Sequence, residues 1–375
     1  MPTRAMSKPR KILYFINDLF GGGAQKGLVN ILDVNFFEET ELHVAAISRG
    51  DGCIKADLLR HLPASQVHVF TASEKMHLSH LLKAFLLYPL LLLKLRPRLV
   101  IMSLPQANIV GRFWGHILPI TRLYAFEHTT SYAKKGYAYI LTALSLSVRG
   151  IIMDTQTTGT ETTRFFLPFK KYQIINLPLY TGALDSAYIK QGTAIKGKPT
   201  LLIAGRLTTA KNHINLFHAL KLLATSGQPC HLNIAGSGEL SDMLEAEVKK
   251  LGLQQHVTFL GYLSPWTTEC AKADIYIQPS LREGLCITVV EAMRHGLPVI
   301  ASPRGGMLDY GVDGENILFA DPDSPEAIAN AISKLVQDDK LRKKLAENAI
   351  TSMESRFGTV ALRQKLAAAR AALKA

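Results

Sequence analysis

Short apolar runs alternate with helix-like stretches along nearly the whole chain, and that rhythm restricts the fold more than any other feature. From Lys11 the chain reads as a strand, KILYFIND, then a glycine turn, LFGGGAQKG, then a helix, LVNILDVNFF. Apolar runs at 42–47, 67–70, 99–102, 123–126 and 150–153 predict further strands. Around 176–198, Pro and Gly break both periods, and a second series follows with candidate strands at 200–204, 231–235, 257–260, 275–278, 298–301 and 317–319. Helical periodicity marks 325–336 and 360–374. Strands separated by helices pair in parallel, because a crossover of that length cannot be a tight hairpin. The expected architecture is α/β with two Rossmann-like domains, and 375 residues leave room for two separate cores.

Composition narrows the class. Hydrophobic residues make up 47% and charged residues 19%, which is ordinary globular usage and argues against disorder. The most apolar stretch, 84–93, falls short of the roughly 20 residues of a bilayer span, so none is expected. The segment LLKAFLLYPLLLLKLRPR has two readings, a helix lying in lipid headgroups or a buried helix delivering the chain to the strand at Leu99. The buried reading is taken, since helices apolar all round are usually core. The basic N-terminus is followed by too short an apolar run for a secretion signal, which predicts a cytoplasmic protein. Cys53, Cys230, Cys270 and Cys286 show no CxxC pair and no zinc-ligand spacing, so reduced thiols and no metal are expected. Net charge is +13, and residues 1–180 carry 21 Lys/Arg against 11 Asp/Glu. A basic first half suits nucleic acid, an anionic membrane or a phosphorylated substrate, or is the mark of a generally basic soluble protein.

Four motifs carry the chemistry. Gly21, Gly22 and Gly23 sit between a strand and a helix, where bare backbone and helix amides can approach a phosphate, or where a plain tight turn is needed. In GRLTTAKN, Arg206 and Lys211 flank a turn after a strand and could converge on one diphosphate; two solvated cations are the alternative. IAGSGE ends a strand with Gly236 and Gly238, either a close backbone approach to a ligand or a packing turn. In REGLCITVVEAMRHGLPVIAS, Glu283 is expected to open a helix that also bears Glu291. Eight residues on one helix would put the two carboxylates on a broad common face about 12 Å apart. The amides of Gly284 and Leu285 would then be donors at the helix start.

Together, GGGAQK, GRLTTAKN, AGSGE, EGLCITVVEAMRHGLPVIAS, PRGG and DGENILF resemble the retaining GT-B glycosyltransferases of family 4 over nearly the whole chain. The resemblance implies two Rossmann-like domains facing across a cleft, with boundaries here at 1–180 for the acceptor, 181–198 for the linker and 199–356 for the nucleotide-sugar. Residues 357–375 would form a helix crossing back to the first domain. It implies that Arg206 and Lys211 hold the donor diphosphate, Glu291 the ribose hydroxyls and Glu283 the donor sugar. Gly22, Gly23, Gly236, Gly238, Gly284 and Leu285 would line the donor site. His128, in FEHTT, resembles the cleft histidine beside the reacting sugar, with a hydrogen-bonded structural histidine as the alternative. Leu285 and Cys286 replace a glycine-containing pair common in relatives, and Asp309 stands near where a glutamate often follows PRGG.

The resemblance implies sugar transfer with retention, assigning no obligatory enzymic base, since the departing phosphate helps take the acceptor proton. Asp321 to Asp323 is the DxD string, and it reads as a loop and helix cap, so no metal or other cofactor is expected. UDP is the first choice of nucleotide. The charge of the first half suggests an anionic inner membrane face and a lipid-linked or surface-glycan acceptor, in polysaccharide or lipopolysaccharide synthesis. A sugar-nucleotide epimerase of the same architecture and a basic nucleic-acid-binding protein are the rivals. Against the latter, the cations are scattered with no aromatic-interleaved run.

Overall fold

Each series of strands and helices closes into its own parallel sheet. The computed structural model describes residues 9–20, 22–48, 54–73, 77–118, 122–128, 135–163, 166–178, 186–190 and 192–374, so Gly21, Cys53 and the start of the 181–198 segment lie outside it. One unit comprises Met1–Thr181 with Arg363–Ala375, and the other Gly182–Leu362.

The first unit holds β1 (Arg10–Asp18), β2 (Thr40–Ser48), β3 (Val67–Val69), β4 (Leu99–Ser103), β5 (Leu123–Glu127), β6 (Gly150–Met153) and β7 (Gln173–Asn176). Their order is β3-β2-β1-β4-β5-β6-β7, every pair parallel. The central strands are unbroken apolar runs because both faces are covered: Leu13, Phe15, Val100, Met102, Leu123 and Ala125 pack in one core, while Tyr14, Ile101 and Tyr124 are buried too. Strand β7 was not among the expected runs; of its four residues only Ile175 is buried.

The leucine-rich segment forms the helix Leu78–Leu95. Ala84, Tyr88, Leu92 and Leu95 are packed in the core, with Tyr88 stacked on Phe15 at 4.4 Å. Leu78, Leu82, Leu86, Leu90 and Leu93 are 60 to 74% exposed. Burial therefore holds for one face of this helix and not for the other, which corrects the expectation of a helix buried all round. By length and composition alone the helix is able to cross a membrane, longer than the ten-residue run because it continues through Lys83 and past Leu93.

The helix Thr359–Lys374 ends in the first unit, where Arg370 donates to the Phe36 carbonyl and pairs with Glu38 at 3.1 Å, and Lys374 pairs with Glu39.

The second unit holds β8 (Thr200–Ala204), β9 (His231–Ala235), β10 (Val257–Gly261), β11 (Ile275–Gln278), β12 (Val299–Ala301) and β13 (Leu318–Phe319), ordered β10-β9-β8-β11-β12-β13 and parallel. Alternate residues Leu201 and Ile203 point to one face, where they meet Leu216, Phe217 and Leu220 of the helix His213–Thr225 and Ile328, Ile332 and Leu335 of the helix Pro325–Gln337. Strand order reverses between β1 and β4 in the first unit and between β8 and β11 in the second. Open parallel sheets bind ligands beyond the carboxyl ends of their strands at such reversals.

Candidate active site

In the second unit the loops leaving β8 and β11 are stitched to each other. Leu281 donates its amide to the Ala210 carbonyl at 2.8 Å, and the Asn212 side chain donates to the Pro279 carbonyl at 3.1 Å. Asn212 takes a left-handed conformation, φ 59°, to end the short turn Thr209–Lys211 and start the next helix. Across this seam Lys211 Nζ donates to Glu283 Oε1 at 2.7 Å, with only 17% and 10% of the two side chains exposed. Burial pulls the Lys211 pKa down, but the negative charge and hydrogen bond of Glu283, with Cys286 nearby, outweigh it, so the net shift is upward and the ammonium stays charged. His213, beside it, is driven down to about 4 by burial and by that same ammonium, and is neutral at ordinary pH.

Arg206 leaves the same strand but turns the other way. It is half exposed and lies 4.0 Å from Glu239, beyond β9, so the two cations engage different neighbours. Gly236 and Gly238 lie against the β8 exit: a Cβ on Gly236 would fall 1.9 Å from the Gly205 carbonyl oxygen, and one on Gly238 2.5 Å from that of Leu207. The close approach these glycines permit is between two loops of the protein, which is the packing alternative.

Glu283 does not open a helix. The helix begins at Ile287, after a turn in which Cys286 is left-handed at φ 57°, so Glu283 is in a loop and Glu291 alone is helical. The common-face geometry expected for the two carboxylates is thereby corrected. Two contacts hold the turn in place: Gly306 donates to the Gly284 carbonyl at 2.7 Å and the Tyr310 hydroxyl to that of Leu285 at 3.0 Å. The amides of Gly284 and Leu285, expected at a helix start, belong to this turn, and among the described residues no acceptor takes them. Leu285 and Cys286 are buried, and burial and Glu283 push the Cys286 thiol up to about 12. Glu291 is 8% exposed, and its Oε2 accepts from Trp266 Nε1 at 2.7 Å.

The first unit contributes a second cluster at its own strand reversal. Gly22 caps the helix Gly23–Asp33, whose first turn carries no acidic residue, and a Cβ on Gly23 would meet nothing within 4 Å. Asp18, at the end of β1, accepts from the Phe20 amide at 2.9 Å and the Gln25 side chain at 2.6 Å, shaping the turn. Asn17 accepts from the Ala107 amide at 2.8 Å, tying this turn to the helix Pro105–Ile117 after β4. His128, just past β5, shares a 2.8 Å hydrogen bond with Ser103 at the end of β4 and leans on Phe126, ring centroids 4.2 Å apart. Burial drives its pKa down to about 3, so it is a neutral imidazole, and its Nδ1 is buried without a partner among the described residues. Behind it Glu127 forms a 2.9 Å ion pair with Arg112, whose guanidinium lies 4.5 Å over the Phe166 ring.

Sequence reasoning missed Ser103, Arg112, Glu127, Asn212 and Trp266. Only Asn212, at the strand–turn–helix junction of GRLTTAKN, had a local signal, the taste of Asn for left-handed helix caps. The DxD string forms the turn before a helix, Asp321 accepting from the Asp323 amide at 3.0 Å, and the cap itself is Ser324, which accepts from the Ala327 amide at 3.1 Å. A cavity of about 800 Å³ in the first unit, bounded by Arg10, Arg98, Arg122 and Arg370, is lined by none of the expected site residues.

Comparison with known proteins follows the same division. Residues 185–352 match the family model described as glycosyl transferases group 1. An uncharacterized glycosyltransferase of Methanocaldococcus jannaschii is 33% identical over 40% of this chain and 38% of its own length. The chain spans less than half the length of this and four further curated relatives, 38 to 47%. Coverage is nearly complete, 91% of this chain and 94% of the other, against the N-acetylgalactosamine-N,N'-diacetylbacillosaminyl-diphospho-undecaprenol 4-alpha-N-acetylgalactosaminyltransferase of Campylobacter jejuni, at 26% identity. Among solved structures, Anabaena HepE in complex with UDP-glucose superposes with a TM-score of 0.77 at 22% identity, covering 95% of this chain and 98% of that one. The fold is the GT-B fold of these proteins.

Proposed function

We propose that this chain, whose residues 185–352 match the family model described as glycosyl transferases group 1, is a retaining transferase of that kind. It moves a hexosyl or N-acetylhexosaminyl group from a nucleoside diphosphate, UDP by preference, to a lipid-linked or surface-glycan acceptor without a divalent metal. The observation that carries this reading is the buried Lys211–Glu283 pair beside the untaken amides of Gly284 and Leu285, at the strand reversal of the family-matched unit. As the sugar C1–oxygen bond breaks, negative charge gathers on the diphosphate. An ammonium fixed before the reaction stabilises that charge without reorganising. Arg206 adds a second cation at the same loop. Glu283, held by Lys211, faces the sugar, and Glu291, oriented by Trp266, binds ribose. The acceptor oxygen forms its bond to C1 on the face the diphosphate leaves, and its proton passes to the departing phosphate oxygen. In the first unit, neutral His128 is a hydrogen-bonding partner for the sugar and no proton carrier, while Gly23 leaves open space for a phosphate and Gly22, close against the Gln25 side chain, caps the helix behind it.

The Campylobacter relative's name describes a diphospho-undecaprenol acceptor and the HepE title a UDP-sugar, which supports a donor and acceptor of those classes. The basic first half supports work at the inner face of an anionic membrane. A thermal-shift and hydrolysis screen over UDP-, GDP- and ADP-sugars tests the donor. A saturable rise in melting temperature with one nucleotide class is expected, followed by acceptor-dependent transfer in EDTA and an axial or equatorial product matching the donor. No stabilising donor, or conversion of the donor alone into its epimer, would overturn the proposal.

A further inference from the structure

The exposed leucines of the helix Leu78–Leu95 form a stripe. At about 100° per residue, Leu78, Leu82, Leu86, Leu90 and Leu93 fall within an arc of about 120°, opposite the side that carries Ala84, Tyr88, Leu92 and Leu95 into the core. The apolar surface continues sideways. Phe85 meets Phe113 of the helix Pro105–Ile117 edge to face at 5.3 Å, and Phe113 and Ile117 are themselves exposed. Exposed apolar surface of this extent is uncommon on a protein that functions alone in water.

Charge identifies what covers it. Between His77 and Phe126 the sequence contains six Lys or Arg and no Asp or Glu. Of these, Lys83 and Lys94 are exposed on the helix and border the leucine arc on one side, where a long aliphatic stem lies along apolar surface and lifts its ammonium outward. Arg96 and Arg98 follow immediately and are exposed. Along this segment the stripe is bordered by cations alone. A layer of anionic headgroups over acyl chains gains from both features at once.

We propose that this face, the leucine stripe with Phe113 and Ile117, beds the first unit in the interfacial layer of a membrane rich in anionic lipid, the helix lying in the plane of the surface. The inference does not depend on the transfer chemistry of the second unit, and the two fail separately.

The test is co-sedimentation of the full chain with vesicles of phosphatidylglycerol and phosphatidylcholine, or of phosphatidylcholine alone, at low and at physiological salt. Binding to the anionic vesicles, weakened by salt and much lower on neutral ones, is expected. Leu86→Ser/Leu90→Ser removes two exposed leucines and should lower the partition coefficient by about a hundredfold, with the melting temperature and the UDP-sugar thermal shift unchanged. Lys83→Glu/Lys94→Glu, which leaves the leucines in place, should remove the preference for anionic vesicles. Equal binding to both vesicle types, or wild-type binding by both double variants, would overturn the proposal. So would a dimer in analytical ultracentrifugation that the serine variant dissociates and that ignores vesicles, since a second copy would then be the occupant.

Discussion

Removing one partner of the Lys211–Glu283 pair should destabilise the second unit by an amount the geometry fixes within limits. At 2.7 Å and an effective dielectric constant near 20, the attraction is about 6 kcal/mol before desolvation is subtracted. Leaving one charge of a fully buried pair unpaired costs about 3 to 5 kcal/mol, and the residual exposure of both side chains moves the expectation to about 2 to 4 kcal/mol. Lys211→Met, which strands the carboxylate, should cost about 3 kcal/mol and Glu283→Gln about 2 kcal/mol. Lys211→Met/Glu283→Leu, which strands neither charge, should be more stable than the sum of the single losses by about 2 kcal/mol or more. The chain has two tryptophans, Trp114 in the first unit and Trp266 in the second, so urea unfolding followed by fluorescence in a Trp114→Phe background reports on the second unit alone. Because the Lys211 pKa is raised, the contribution is fully present below its ordinary value of 10.5 and fades only as pH rises through the higher folded value. The coupling should therefore be the same at pH 7 and pH 9. Single losses below about 1 kcal/mol that simply add would refute a preformed, buried pair.

Other expectations follow from neighbouring contacts. Gly236→Ala would drive a methyl group into the Gly205 carbonyl, so a loss of about 2 kcal/mol or more in urea unfolding is expected, together with a weaker UDP-sugar thermal shift. His128, with its pKa held near 3 by burial, contributes stability that is intact above its ordinary 6.5 and declines as pH falls toward the folded value. Between pH 7 and pH 5 the first unit should lose about 2 kcal/mol more with His128 in place than in His128→Asn, both read from Trp114 fluorescence in a Trp266→Phe background. Trp266→Phe removes the donor that orients Glu291 and should raise the Kd for a nucleotide-sugar several-fold in calorimetry, with at most about 1.5 kcal/mol lost in stability.

The strands could be read because most are continuous apolar runs covered on both faces, and such runs are visible without knowing their neighbours. QIIN of β7 escaped because it buries one residue of four and so has neither a long run nor an alternation. EGLCITVVEAM has the composition of a helix from Glu283 onward; the left-handed turn at Cys286 depends on Gly306 and Tyr310, some 20 residues further on. The pairing of Glu291 with Trp266 and of Glu127 with Arg112 is likewise long-range, and one residue's chemistry does not announce its distant partner. Lys211 and Glu283 are both legible as site residues, yet separately, one for phosphate and the other for sugar. Their direct bond emerges only from the neighbouring positions of β8 and β11. In the leucine helix an apolar count along the sequence does not distinguish the face turned inward from the one left open.

The first unit is discontinuous in the chain, since Arg363–Ala375 belongs with Met1–Thr181 while everything between them forms the second. The anchors of Arg370 on Phe36 and Lys374 on Glu39 join positions 334 and 335 residues apart, so the first unit closes on itself only across the full length of the second, which is unbroken in sequence. Removing Arg363–Ala375 would therefore leave the second unit's own stretch of chain whole while stripping the Asn35 and Phe36 carbonyls of their Arg370 donor.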